Sequence, residues 1–193
     1  MESPTQIRNR IRASRRALDP EVRLAKSVEI CNRLAELDSF KSARHVAAYL
    51  AFDGEADPME LMISSVDRGK HVYLPIIVGQ SEPLVFAPWT RSTTLVKNRF
   101  DILEPEVDQA DLITADKLDL VVCPLVAFDE TLNRIGVGGG YYDRTFAFVN
   151  QAADDKQVQL VGFAFELQKL DSIEPKPWDV RLDAVVTESQ GYT

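Results

Sequence analysis

The run Leu118-Asp119-Leu120-Val121-Val122-Cys123-Pro124-Leu125, followed closely by Asn133-Arg134-Ile135-Gly136-Val137-Gly138-Gly139-Gly140-Tyr141-Tyr142-Asp143-Arg144, reads as a strand, a glycine-rich turn and the start of a helix. The first run is β-branched and nearly continuously apolar, as a strand buried on both faces requires. Four glycines in the five positions 136–140 leave backbone N–H groups unshielded and free to take positive φ, which suits a turn that cradles phosphate. Arg134 and Arg144 add positive charge on either side. A helix over 141–149 would aim its first N–H groups and its dipole at the same place. Asp143 is then positioned to hold a magnesium ion that bridges phosphate oxygens.

The pattern alone leaves a second reading open. No Lys followed by Ser or Thr closes the stretch, and its glycine spacing is not the G-x-G-x-x-G of dinucleotide folds. The bland alternative is a flexible turn that carries a strand into a helix.

Toward the amino terminus, Ile7, Ile11 and Leu18 lie at helical spacing, with Arg8, Arg10, Arg12, Arg15 and Arg16 on the remaining surface, so an Arg-rich helix opens the chain. One or two of these arginines could reach a phosphate. Asp19-Pro20-Glu21 starts a second helix, with Asp as cap and Pro at the first helical position. Leu24, Val28, Cys31 and Ala35 form its predicted apolar stripe. His45 to Leu50 is a short buried strand, and Ala51-Phe52-Asp53-Gly54-Glu55 is the loop after it. A helix follows from Asp57, then a strand over 72–77, a short strand over 83–88 and extended chain to Glu106. Beyond the glycine stretch come strands at 159–165 and 184–187. Alternating strands and helices predict a single α/β domain over residues 1–193, a mostly parallel sheet covered by helices on both faces, with two helices before the first strand. Glu55 is either a solvated loop acid or a ligand-facing group, since it lies just past a strand's carboxyl end. Asp183 is either a turn residue or a second carboxylate at the same rim.

The formal charge of -8 disfavours non-specific association with nucleic acid or an anionic membrane, so an anionic ligand must be met by a local patch. No stretch approaches a membrane span, and the first residues carry no apolar signal core, which points to the cytoplasm. Cys31 and Cys123 form no metal or redox spacing and are expected to be buried thiols, while His45 and His71 are expected to be structural. Nothing in the chain requires an obligate protein partner.

Cys-Pro-Leu-Val-Ala-Phe-Asp over 123–129, followed by the glycine stretch, resembles the signature of the 5-formyltetrahydrofolate cyclo-ligase family. Arg8, Arg15 and Ala17-Leu18, Tyr49-Leu50 with Gly54-Glu55, Lys70 to Pro75, Ile102-Leu103-Glu104-Pro105 and the closing Trp178 to Asp183 match in order. The resemblance thus covers nearly the whole chain. It implies ATP-dependent closure of 5-formyltetrahydrofolate to 5,10-methenyltetrahydrofolate, with release of ADP and phosphate. Phosphoryl transfer rests on positioning and charge stabilisation, so glycines, arginines and Mg2+ are the expected tools.

Carried over by residue, the resemblance makes Arg134, Ile135, Gly136, Val137, Gly138, Gly139, Gly140, Tyr141 and Tyr142 the ATP loop, with Arg134 catalytic and Arg8 reaching ATP from the first helix. Leu50, Glu55 and Tyr141 become the folate contacts, and Asp143 and Asp183 the Mg2+ carboxylates. Pro4 stands where the family usually has a Lys, and Arg10 or Arg12 is the nearest replacement. Competing readings are an ATP-dependent ligase or kinase on another small substrate, and a non-catalytic folate- or nucleotide-binding protein.

Overall fold

The computed structural model describes residues 2–98, 103–150 and 158–193. Helices α1 (Pro4–Arg16) and α2 (Pro20–Ala35) come first, then a short α3 (Asp38–Ser42). Both long helices begin as their residue types dictate. Ser3 and Gln6 exchange capping bonds around Pro4, and the Asp19 carboxylate accepts the N–H groups of Glu21 and Val22 ahead of the second helix. Pro4 therefore serves the helix start. Strand β1 (His45–Ala47), helix α4 (Met59–Asp67), β2 (His71–Ile76) and β3 (Val85–Trp89) follow. Next come the hairpin β4 (Leu95–Lys97) and β5 (Leu103–Pro105), strand β6 (Leu120–Pro124) and a small hairpin of β7 (Ala127–Phe128) and β8 (Arg134–Ile135). Helix α5 (Tyr141–Thr145), β9 (Gln159–Phe163), β10 (Ala184–Val186) and β11 (Gly191–Tyr192) complete the described chain.

Seven strands form one sheet in the order β11-β10-β9-β6-β1-β2-β3. The five inner strands are parallel, and the two edge strands pair antiparallel. Side chains alternate between two cores. Val46, Val72, Leu120, Val122, Val161 and Val186 face one, beneath Ile30, Leu34 and Met62. Ala47, Tyr73, Val121, Cys123, Leu160 and Val185 face the other, beneath Phe146 and the partly buried Tyr141 and Tyr142. This period of two explains why the parallel strands read as unbroken apolar runs. Each fully buried Leu or Ile of α2 contributes about 1.5–3 kcal/mol of transfer free energy. The expected α/β architecture is thus observed, with two helices ahead of the first strand.

Local differences have identifiable causes. The buried face of α2 is Ser27, Ile30, Cys31 and Leu34, leaving Leu24 61% exposed. Ser27 is drawn inward because its hydroxyl accepts Asp57 N–H while donating to the Arg23 carbonyl. Strand β1 ends at Ala47, and the Tyr49 hydroxyl donates to the Ala56 carbonyl at 2.7 Å, closing a loop over 49–56. The helix expected over 141–149 stops at Thr145, after which a 3-10 turn runs Ala147–Asn150. Thr145 ties the last helical turn to a neighbouring segment, since its hydroxyl accepts Leu84 N–H at 2.8 Å and donates to the Tyr141 carbonyl at 2.6 Å. Both cysteines are buried free thiols, and burial pushes Cys31 up to about 12. His45 and His71 stack at 4.9 Å between ring centres. The family landmark at Ile102 lies outside the described residues.

Candidate active site

Strand β1 leads away to β2 on one side, and β6 leads to β9 and β10 on the other, so the order of the sheet reverses between β1 and β6. Open α/β sheets place ligands beyond the carboxyl ends of strands at such a point. Two loops meet there: residues 48–56 after β1, and the segment from Leu125 that leads through the β7–β8 hairpin to the glycine stretch.

Helix α1 lies across both loops. Arg8 Nε donates to the Gly136 carbonyl at 2.8 Å. Arg12 and Arg16 bond the Asp53 carboxylate, Arg12 at 2.5 Å. Arg15 is only 1% exposed, and its two terminal nitrogens donate to the carbonyls of Leu125 and Asp53, each at 3.3 Å. Asp53 and Gly54 turn the loop through positive φ of 55° and 74°. A Cβ on Gly54 would stand 3.3 Å from the α1 backbone at Arg15 and Arg16, so glycine lets the loop press against the helix. Burial raises the Asp53 carboxyl, but Arg16 and Arg12 prevail and hold it below the usual carboxylate range. Arg10 instead pairs with Glu2 on the surface. Arg10 and Arg12, the nearest replacements for a charge at position 4, are therefore both engaged by carboxylates.

The glycine stretch is held from two sides. Arg8 takes the Gly136 carbonyl, and Arg144 takes that of Gly139 at 2.8 Å while covering the Tyr141 ring. Gly138 and Gly140 adopt φ of 113° and 65°. Among the described residues, no acceptor meets the backbone N–H groups of Gly136 through Gly140. Val137 between them is 57% exposed. Ile135, by contrast, is a core residue at the end of β8. The five-residue α5 starts directly after Gly140, so the long helix dipole expected there is reduced to a single turn.

Arg134 leaves β8 beneath this loop, its side chain 5% exposed. It donates to the Val180 carbonyl and, at 2.6 Å, to Asp143 Oδ1. The same Oδ1 accepts Val180 N–H at 3.2 Å, which directs the bonds of the Asp143 carboxylate to one of its two oxygens. The hairpin itself is built on Asp129, a buried carboxylate that accepts bonds from Thr131, Asn133 and Ile173 N–H. Burial raises Asp129, yet these donors bring it below its ordinary range. Nothing in the sequence pattern singled out Asp53, because its arginine partners lie 37 to 41 residues away, or the tie from Asp129 to Ile173, 44 residues on.

Glu55 is 8% exposed and stands 3.8 Å from Arg15. Its Oε2 accepts Phe52 N–H at 3.3 Å. Burial pushes its carboxyl up to about 7, against the pull of Arg15. Tyr142 shares this environment: burial, with Cys123 and Glu55 near it, keeps its hydroxyl well above the ordinary phenol range, while Arg134 acts in the other direction. Glu55 and Arg134 thus both act on the Tyr142 hydroxyl, which couples the β1 loop electrostatically to the glycine stretch. Leu50 packs against one core and Tyr141 against the other, so they reach the rim from opposite faces of the sheet. On the outer side of Glu55 an open cleft of about 290 Å³ runs between Leu24 and Phe52.

Asp183 has a different setting. It precedes β10, its backbone N–H donates to the Leu160 carbonyl, and its Oδ2 accepts Leu160 N–H at 2.7 Å. This anchors it at the amino-terminal edge of β9 and β10, whereas Asp143 is tied to Arg134 and Val180. Among the described residues no group of three or more His, Cys, Asp or Glu stands together. Magnesium needs no such group when nucleotide phosphates supply oxygens, and one or two carboxylates suffice. Asp143, partly exposed beside the glycine stretch, fits that requirement.

Among the described residues, no helix is long and apolar enough to cross a membrane. The family model described as "5-formyltetrahydrofolate cyclo-ligase family" matches residues 1–188. A 5-formyltetrahydrofolate cyclo-ligase of Escherichia coli K12 is 38% identical over 181 residues, covering 93% of this chain and 97% of that one. The Haemophilus influenzae protein of the same name is 33% identical, covering 92% of this chain and 93% of its own. Among solved structures, the NMR structure of Aquifex aeolicus 5,10-methenyltetrahydrofolate synthetase superposes with a TM-score of 0.80 at 28% identity, covering 97% of this chain and 91% of that one. A match of this extent, over a sheet that reverses at the same loops its glycine signature occupies, establishes that the chain belongs to the 5-formyltetrahydrofolate cyclo-ligase family.

Proposed function

We propose that this chain, as one domain over residues 1–193, converts 5-formyltetrahydrofolate to 5,10-methenyltetrahydrofolate at the expense of ATP, releasing ADP and phosphate. The observation that carries this reading is the set of N–H groups from Gly136 to Gly140 that meet no acceptor among the described residues, with Arg8 on the Gly136 carbonyl, Arg134 at the head of the stretch and the buried Glu55 acting on Tyr142. Successive backbone donors left without protein acceptors suit an anion. A buried carboxyl group beside it offers an acceptor for the N–H groups of a pterin ring, with Leu50 and Tyr141 as its apolar borders.

The formyl oxygen is a poor leaving group and must be activated. Its attack on the γ-phosphorus of ATP expels ADP and makes an imidate-like phosphate. N10 then attacks the formyl carbon, N10 loses its proton and phosphate departs as the methenyl bridge forms. The residues of the loop, Ile135 to Tyr142, hold the phosphates by their backbone, so apolar side chains at Ile135 and Val137 are tolerated. Arg8 reaches the nucleotide from α1, and Arg134, oriented by Val180 and Asp143, faces the charge that develops on transfer. Asp143 would hold Mg2+, which would neutralise charge on the phosphate oxygens; Asp183, the second carboxylate that the resemblance implies, stands instead at the amino-terminal edge of β9 and β10 with one oxygen bonded to Leu160 N–H.

Methenyltetrahydrofolate absorbance, followed with 5-formyltetrahydrofolate and with ATP or Mg2+ omitted in turn, tests the reading. Growth that requires both is the expected result. Folate binding without product would leave a non-catalytic binder, and ATP turnover independent of reduced folate would indicate another ligase or kinase.

A further inference from the structure

The apolar stripe of α1 runs Ile7, Ile11, Arg15 and Leu18, so an arginine occupies a core position of an amphipathic helix. Its burial is complete at 1% exposure, yet its bonding is sparse. Both hydrogen bonds are long, at 3.3 Å, both acidic partners stand at 3.8 Å, and Nε has no acceptor among the described residues. A cation placed only for stability would be expected to have shorter, paired contacts, because an underbonded buried charge is costly. What Arg15 does reach is informative. One nitrogen meets the loop after β1 at Asp53, the other meets the chain just past β6 at Leu125, and the same guanidinium faces Glu55 between them.

We infer that Arg15 is a positioning residue: it joins the two loops of the switch point, fixes the direction of the Glu55 carboxyl group and supplies its counter-charge. The inference rests on the reading of Glu55 as a folate contact. The groups around Glu55 support it element by element. Helix α1 presents Arg15 and, farther out, Arg12, which is already bonded to Asp53. The β1 side presents Tyr49, whose hydroxyl is spent on Ala56, and the loop itself presents Asp53 and the Phe52 N–H. Helix α5 presents Tyr142. Arg15 pulls on Glu55 more strongly than Arg12 does.

The test combines two measurements on the full chain. Carboxyl 13C NMR, with Glu55 assigned through Glu55→Gln, follows its ionisation without ligand, and steady-state kinetics follows KM for 5-formyltetrahydrofolate and for ATP across the same pH range. In Arg15→Gln the Glu55 midpoint rises by about one unit or more, the folate KM rises about tenfold near pH 7, and the ATP KM moves by less than about twofold. Arg15→Lys restores the midpoint. A folded Arg15→Gln protein with an unmoved midpoint overturns the inference. Should that variant not fold, Arg15→Lys decides with Glu55→Gln as its reference: its single ammonium cannot span Leu125 and Asp53, so a raised folate KM at an unchanged midpoint supports positioning, and an unchanged KM where Glu55→Gln itself raises the folate KM overturns it. A midpoint that moves in Arg15→Gln while the folate KM stays put supports positioning and instead removes the folate from Glu55.

Discussion

Arg8 and Gly136 are 128 residues apart in the chain and 2.8 Å apart in space, joined by one hydrogen bond from the first helix to the glycine stretch. This bond holds the loop whose N–H groups meet no acceptor among the described residues. Replacing Arg8 with Met removes both a charged donor and the clamp on the loop. A hydrogen bond from a charged group is worth about 1.5–3 kcal/mol, which predicts a rise of about 10- to 100-fold in the ATP KM. The folate KM should change little, and initial-rate kinetics with each substrate varied separately checks the split.

Asp143 and Arg134 separate charge from shape. Asp143→Asn keeps an oxygen that can accept from Arg134 and Val180 but loses the charge that suits a hard cation. The expected outcome is a fall in kcat of about 100-fold or more, as for loss of a stabilising group in the transition state, with a higher Mg2+ requirement. The melting temperature should change only slightly. Asp143→Ala leaves the almost fully buried Arg134 without its carboxylate and should in addition lose about 1–3 kcal/mol of stability, measurable by denaturant unfolding.

The elevated Glu55 carboxyl carries a pH signature. A carboxyl group raised by burial to about 7 favours its neutral form in the folded chain. Its effect on stability is neutral below the ordinary carboxylate range, becomes unfavourable as pH climbs through about 7, and then levels off. Glu55→Gln cannot ionise. Its stability relative to the native chain should therefore improve between about pH 5 and pH 8, by at most about 3 kcal/mol. A difference that stays flat across that range in thermal melts would refute the assignment.

Gly138 tests backbone against side chain. A Cβ at this position would lie 3.6 Å from Arg8 Cζ, an ordinary contact, so an alanine is not excluded by its neighbours. Its φ of 113° is the obstacle. Gly138→Ala should cost about 1–3 kcal/mol of strain or reshape the loop. Either way the ATP KM rises, and a melt measured with and without ATP tells which occurs.

The central sheet is legible in the sequence because strands buried on both faces must be apolar at every position, as at Val121, Val122 and Cys123. The opening of α2 is legible because Asp19 and Pro20 are cap chemistry, whereas Pro4, read in the sequence only as a missing lysine, proves with Ser3 to be the start of α1. The two-residue strands β7, β8 and β11 are not, since such short pairings have no period to detect. The face of α2 is misread by one position because a serine, bonded to Asp57, is buried where Leu24 is the more apolar candidate. The glycine stretch announces itself by composition, whereas Glu55 carries two readings from its place past a strand's carboxyl end until the family resemblance favours the ligand-facing one. Arg15 offered a signal that goes unread in a simple count of charges: it falls on the apolar stripe of its own helix, at the i+4 position from Ile11.

Five arginines make α1 look like a polycationic arm on an acidic protein. Their pairing changes that picture. Glu2 compensates Arg10, and the single carboxylate of Asp53 is shared by Arg12, Arg15 and Arg16. Among the described residues, Arg8 meets a carbonyl and no carboxylate. The helix thus presents a focused point of positive potential over the loop instead of a broad field, so a small anion can be recognised without drawing in long polyanions. Selectivity for a compact phosphate ligand follows from this cancellation of charge as much as from the charge that remains.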